Sequence, residues 1–290
     1  MLVTITEMLK QARKDKYCVG AFDASTLEMG QKIIQAAEEK SSPVIIMGLP
    51  IDLSGDMLEY WLYGMTNMAK RASVPVCIHL DHATDMDFLK KCVDSGFTSV
   101  MYDASTESLE GNIALSKEAV DYAHKRGVSV EAELGHVGDG IISGEARAQE
   151  DYDNPDDFLT DPAELETFVE QTNVDCLAVA VGTSHGVYVH TPKLHFDRLD
   201  QLNQISPVPM VMHGGSGTPD DQIKKAIQGG ICKLNIYSEM LTAYYKELKH
   251  KLETSASLAI WVHKANEAPL EALKNVVKEK IDLCGSANKA

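Results

Sequence analysis

Residues 76–103 read VCIHLDHATDMDFLKKCVDSGFTSVMYD. A β-branched run (Val76–His82) leads into a segment of helical period (Asp85–Ser95), Gly96 stops the helix, and a second apolar run (Ser99–Ala104) follows. Strand, helix and strand in that order make a βαβ unit, and such units build parallel sheets. The cycle repeats outward in both directions. Further strand-like runs are Cys18–Phe22, Val44–Gly48, Ser129–Leu134, Cys176–Gly182, Pro209–His213 and Lys233–Tyr237, eight in all. Between them, stretches such as Thr26–Glu39 and Leu115–Arg126 carry apolar residues three and four apart, and Gly127 and Gly230 mark helix ends. Eight such units predict an α/β fold, a closed (β/α)8 TIM barrel; an open doubly wound sheet would have no need of the number eight. Two helical patterns between 239 and 283 predict extra C-terminal helices that cap or extend the barrel. One domain is expected over residues 1–290.

The 290 residues are enough to bury a large core, about 75% of the surface of the unfolded chain. Acidic residues number 43 and basic residues 27, a net charge of −16. So acidic a body repels phosphate backbones and anionic lipid, which argues against nucleic-acid and membrane-surface binding. A small anionic substrate remains open, because a metal or backbone N–H groups can create a local positive site. The six cysteines form no C-x-x-C pair, and Cys77 and Cys176 sit in apolar runs as buried free thiols do. The opening residues do not read as a signal peptide, and no apolar run reaches the 18 residues of a membrane span. A cytoplasmic location is expected.

In a barrel of this kind chemistry collects at the C-terminal ends of the strands. Six consecutive ends here are polar: HLDH (79–82), MYD (101–103), EAELG (131–135), GTSHG (182–186), HGGSG (213–217), and Asn235 with Ser238. Any one of these could be a solvated rim; together they point to a site. His82, His185 and His213 are the natural metal ligands, since three neutral imidazoles with an open position make a catalytic Zn2+ site. For any single one of the ten histidines a plain hydrogen-bonded role would be the better reading. Asp103 and Glu133 could orient those imidazoles or bind a second cation. Gly214-Gly215-Ser216-Gly217, before a helix starting near Pro219, can present consecutive N–H groups to a phosphate, with Gly186 and Ser238 on the same side.

As a set, HLDHA (79–83), DAS (103–105), EAELG (131–135), AVGTSHGVY (180–188), HGGSG (213–217) and KLNIYSE (233–239) resemble the class II, zinc-dependent ketose-bisphosphate aldolases. The resemblance spans roughly residues 1–240. It implies Zn2+ on His82, His185 and His213, with Asp103 and Glu133 as supporting or alternative ligands. Asp81 would carry the proton of the cleaved C4 oxygen. Gly186, Gly214, Ser216 and Ser238 would hold the C1 phosphate, and Asn235 a hydroxyl at the ketone end. It also implies a sugar-phosphate substrate, dihydroxyacetone phosphate as product, a monovalent cation (Na+ or K+) near the phosphate, and a homodimer or homotetramer.

The departures from that pattern bear on the substrate. Asp23 stands where the family usually has Asn, and Tyr237 where Asp is often found. Gly48-Leu49-Pro50 replaces a segment that often carries Ser or Thr. The loop after strand 5 reads Gly138-Asp139-Gly140-Ile141-Ile142, which displaces the expected glutamate base and leaves Asp139 or Glu145 as candidates. Residues 255–261 lack the Arg that grips a distal phosphate; Arg147 or Lys264 could replace it. A substrate with one phosphate, at C1, is expected to be preferred over fructose 1,6-bisphosphate. Two other readings compete. One is an inactive zinc- and phosphate-binding barrel acting as sensor or scaffold, against which Asp81 speaks. The other is a zinc hydrolase, which usually has an H-x-H pair on strand 1 that Phe22-Asp23-Ala24 lacks.

Overall fold

Eight parallel strands close into a barrel in sequence order. They are β1 (Val19–Asp23), β2 (Val44–Gly48), β3 (Val76–Ala83), β4 (Ser99–Tyr102), β5 (Ser129–Leu134), β6 (Cys176–Val179), β7 (Met210–Met212) and β8 (Ile231–Ile236). The computed structural model describes residues 1–141, 154–188 and 190–290. Helix α1 (Ile5–Asp15) precedes the barrel. Outside it run α2 (Leu27–Glu39), α3 (Met57–Arg71), α4 (Met86–Ser95), α5 (Leu109–Ala123), α6 (Pro162–Thr172), α7 (Phe196–Ile205) and α8 (Asp220–Gln228). Helices α9 (Ser238–Thr254) and α10 (Val262–Cys284) are the expected C-terminal additions.

The differences from the sequence reading lie at boundaries. Helix α5 begins at Leu109 rather than near Leu115, because the Ser108 hydroxyl accepts the N–H of Gly111 and caps it. Strand β6 stops at Val179, three residues before Gly182, and β8 opens at Ile231. Thr26 and Asp85 cap α2 and α4, and Gly96 closes α4 in the left-handed region.

Period-two alternation divides each strand between two cores. Ile46, Ile78, Leu80, Val100 and Leu134 face outward onto the helices. Val19, Ala21, Ile45, Met47, Cys77, Ala178 and Val211 fill the barrel interior, with Ile5, Met8, Leu9 and Ala12 of α1 plugging its N-terminal end. A capping box between Thr4 and Glu7 starts that plug. Each fully buried aliphatic side chain there contributes about 1.5–3 kcal/mol. On β1, β3 and β5, and just past β7, the inward positions nearer the mouth are polar: Asp23 after Ala21, His79 and Asp81 after Cys77, Glu131 and Glu133 after Ser129, and His213 after Val211. The apolar lower barrel is therefore the rigid support of a polar mouth.

One end helix braces the first strand end. Trp61 of α3 is fully buried, donates its indole N–H to the carbonyl of Ala24 at 2.6 Å, and stacks on Phe97 at 5.8 Å. That bond fixes the chain just past Asp23.

Candidate active site

A cavity of about 600 Å³ opens at the C-terminal mouth, and His82, His185 and His213 meet there, His213 fully buried within the wall. His82 is an even-numbered residue on a strand whose odd positions face inward, so plain alternation would turn it outward. Its backbone takes a left-handed φ of 47°, and the pairing of β3 with β4 shifts register between Leu80 and Ala83. This irregularity turns the imidazole back into the mouth.

His82 Nε2 lies 2.8 Å from His213 Nδ1, and His185 Nε2 lies 3.3 Å from the same atom. One ligand atom from each of the three falls within 4.8 Å of the others. The far nitrogen of every ring faces a carboxylate: His82 Nδ1 to Asp103 Oδ2 at 2.8 Å, His213 Nε2 to Glu131 Oε1 at 2.8 Å, and His185 Nδ1 to Asp139 Oδ1 at 3.4 Å. An ionised carboxylate only accepts, so the outer nitrogen of each ring carries a proton and the inner nitrogen is the one a metal would take. Burial holds His213 well below the usual imidazole range, with the His82 charge adding to it, and burial also lowers His185. Burial opposes charge on His82 too, but Asp81 and Asp103 outweigh it and lift the ring to about 10. A cation competes with that proton. Tetrahedral Zn–N bonds of about 2.0–2.1 Å place ligand nitrogens about 3.3 Å apart, which the donor set fits with a small opening at His82.

Asp103 accepts from His82 at 2.8 Å, and its other oxygen accepts from the backbone and hydroxyl of Ser105 at 3.0 and 2.6 Å. Glu133 backs none of the three rings at hydrogen-bond distance. Its Oε1 accepts from Val137 N at 2.7 Å, and its Oε2 is buried without a partner. Burial and the nearby Asp103 push this carboxyl up to about 8. With His82 and Asp103 it forms a second group of three donor atoms within 4.8 Å of one another.

Glu131 and Lys233 lie directly behind the site, and the sequence reading did not single them out. Lys233 Nζ lies 2.9 Å from Glu131 Oε2, both fully buried. Burial works against the ammonium, but Glu131 and Asp81 outweigh it and hold Lys233 above its ordinary range. A lysine held charged this way is no amine nucleophile; it anchors the carboxylate that orients His213. The signal was available: Glu131 lies two residues before Glu133 and so shares its face.

Asp81 is 3% exposed and borders the cavity. Asn235 donates its Nδ2 to both carboxylate oxygens, at 3.2 and 3.4 Å, while its own Oδ1 is buried and unpartnered. On the opposite side, Gly214 has φ 68°, and a Cβ there would stand 2.4 Å from the carbonyl of Ser184. The turn does not offer all its N–H groups. Gly215 donates to Asn235 O at 3.0 Å and Gly217 to Glu239 at 3.5 Å. Those of Gly186, Gly214, Ser216 and Ser238 have no acceptor among the described residues, and Ser238 opens α9, whose N-terminus favours an anion. The Ser216 hydroxyl accepts from Tyr237 N and Glu239 N at 3.1 and 3.2 Å, so its first task is to cap α9.

The loop after β5 is drawn over the mouth by a short ladder: Gly140 N donates to His185 O at 2.8 Å and Ile141 N to Val187 O at 2.9 Å. A Cβ on Gly140 would come within 2.7 Å of Val187 O, so only glycine permits the approach that brings Asp139 to His185. Of the candidates for the displaced base, Asp139 thus backs a ring, and Glu145 lies outside the described residues, as does Arg147. Lys264 pairs with Glu267 at 3.0 Å in a separate surface groove with Lys32 and Lys251.

The family model described as "Fructose-bisphosphate aldolase class-II" matches residues 3–289. The chain is 36% identical over 301 residues to the 6-phospho-5-dehydro-2-deoxy-D-gluconate aldolase of Bacillus subtilis (strain 168), covering 99% of this chain and 97% of that protein. It is 38% identical over 297 residues to the fructose-bisphosphate aldolase of Geobacillus stearothermophilus, covering 100% and 99%. Among solved structures, the YdjI aldolase from Escherichia coli K12 superposes with a TM-score of 0.87 at 36% identity over the whole of both chains. Relatives with different substrates in their names are level in identity, so likeness alone does not choose the substrate.

Proposed function

The chain belongs to the class II fructose-bisphosphate aldolase family and is an aldolase, and from that premise we propose that it reversibly cleaves a ketose 1-phosphate into dihydroxyacetone phosphate and an aldehyde. The observation that carries this reading is the meeting, in one cavity, of three carboxylate-backed imidazoles, Asp81, and a turn of backbone donors.

His82, His185 and His213 would hold the metal, zinc in this reading, which when bound supplies Lewis-acid stabilisation of the negative charge that develops at the substrate carbonyl. The chain's own residues do the rest. The N–H groups of Gly186, Gly214, Ser216 and Ser238, with the N-terminus of α9, would hold the C1 phosphate. That fixes the carbonyl end against the histidines. Asn235 would hold Asp81 by its amide and offer its free Oδ1 to a substrate hydroxyl. In the cleavage direction Asp81 would take the C4 hydroxyl proton as the C3–C4 bond breaks, and it would return that proton to the aldehyde oxygen in synthesis. A positioned acid–base group of this kind is worth about 10²–10⁴-fold. Glu131, Asp103 and Asp139 would keep the three rings in the tautomer that faces inward.

The reading extends to one domain over residues 1–290, since the mouth draws on strands from both ends of the chain. It extends also to a monovalent cation, Na+ or K+, beside the phosphate, to a cytoplasmic location, and to a homodimer or homotetramer. Among the described residues no helix is long and apolar enough to cross a membrane.

The test is a coupled assay of dihydroxyacetone phosphate release from fructose 1-phosphate, before and after chelation and zinc return. Release that is lost on chelation and restored by zinc supports the reading. Release that survives complete removal of metal would overturn it.

A further inference from the structure

We propose that the cavity wall formed by Asp23, Asp52 and Tyr237 selects substrates whose far end is an uncharged polyol, so that the aldehyde product carries no phosphate. This rests on the aldolase reading and names the substrate class of the same site.

The geometry separates the two ends of a bound sugar. The backbone donors for a C1 phosphate lie after β6, β7 and β8. Asp81, the partner of the C4 hydroxyl, lies on β3. The ends of β1 and β2 lie between β8 and β3 in the barrel, on the rim of the same cavity. Asp23 ends β1 and Asp52 follows β2, and both line the cavity.

What waits there is acidic and hydroxylic. Asp23 is 4% exposed, and its Oδ1 is buried with no partner. Ser25 Oγ donates to Asp52 Oδ2 at 3.0 Å and lies 2.5 Å from Tyr237 Oη. The cavity-lining residues include the carboxyls of Asp23, Asp52, Asp81, Asp103 and Asp139, and among the described lining residues there is neither Lys nor Arg. A second phosphate placed at this wall would lose its water, meet like charge, and find no Lys or Arg among the described lining residues. A hydroxyl suits the same groups: it donates to the unpartnered Asp23 oxygen or to a free lone pair of Tyr237 Oη. The conclusion holds for either form of Asp23. Burial, and then the neighbouring Asp81, push its carboxyl well above the usual range. A neutral acid offers a phosphate a single donor, and an ionised one repels it.

The experiment pairs binding with turnover on the zinc-loaded full chain. Hexitol 1-phosphate and hexitol 1,6-bisphosphate, which cannot be cleaved, are titrated calorimetrically. Fructose 1-phosphate and fructose 1,6-bisphosphate are compared by kcat/KM. The expected result is at least tenfold tighter binding of the monophosphate hexitol and an equal or larger preference in kcat/KM. Asp23→Asn is expected to shrink the binding ratio at least fivefold, and Asp52→Asn, on a more exposed loop, to shrink it if the first variant fails to fold. Equal or tighter binding of the bisphosphate, or a ratio unmoved in both folded variants, would overturn the inference. Preferred binding of the monophosphate without cleavage of fructose 1-phosphate would uphold the selecting wall while sinking the proposed reaction.

Discussion

His213 Nε2 stands 2.8 Å from Glu131 Oε1, and Lys233 Nζ approaches the same carboxylate at 2.9 Å to its other oxygen, with all three side chains fully buried. The barrel interior thus holds a charge pair directly beneath a ring of the site. The pair is costly to bury, and removing one partner alone is costlier still. Its evident use is orientation: Glu131 fixes which nitrogen of His213 carries the proton.

Two variants separate orientation from stability. Glu131→Gln keeps the shape and is expected to weaken zinc about 10–100-fold. Lys233→Met leaves Glu131 buried and unpaired, and is expected to destabilise the fold by about 3–5 kcal/mol. Zinc competition with a chelating dye and denaturant unfolding read the two effects. Unchanged zinc affinity in folded Glu131→Gln would remove Glu131 from its orienting role.

Gly214→Ala tests the phosphate turn. The left-handed φ of 68° and the 2.4 Å approach to Ser184 O leave no room for a methyl group. Left-handed geometry alone costs a non-glycine residue about 1–2 kcal/mol. The variant is expected to keep its metal and to weaken inhibition by dihydroxyacetone phosphate at least tenfold. Inhibition equal to that of the parent would place the phosphate elsewhere.

Helices α2 and α10 are joined at the surface, where Glu39 meets Lys274 at 3.0 Å and Lys278 at 2.8 Å. Hydrogen bonds from Lys278 and Lys274 lower Glu39 from 4.5 to about 2. A carboxyl depressed by folding stabilises above its unfolded value, and the gain is lost as pH falls from 4.5 through about 2. Glu39 is 43% exposed, so solvent screens the pair, and about 0.5–1 kcal/mol is the expected size. The stability difference between the parent and Lys274→Met/Lys278→Met should be present at pH 6 and shrink toward zero near pH 2. A difference that is flat with pH would assign the effect to packing.

The barrel was legible because its strands alternate and its helices cap in the ordinary way. His185 and His213 were legible as strand-end residues. His82 was legible by its company in HLDHA, but not by period, since only a left-handed residue and a register shift turn it inward. Glu131 and Lys233 do not stand out as site residues in the sequence because their chemistry lies one layer below the cavity rim. A buried lysine also defies the usual expectation that lysines stay at the surface. Ser216 illustrates the opposite limit: its motif pointed to phosphate, yet its hydroxyl is engaged by the N–H groups that open α9. The start of α5 was hidden because the residues from Leu109 to Ala114 carry little amphipathic signal of their own, and the Ser108 cap decides it.

The central claim is that Asp81 moves the C4 proton at a metal held by three histidines. The most direct measurement is the turnover of Asp81→Asn per bound zinc, set against the parent under saturating ketose 1-phosphate. The account predicts full zinc occupancy with turnover reduced by about 10²-fold or more. Parental turnover at full occupancy would contradict it and assign the proton to another group.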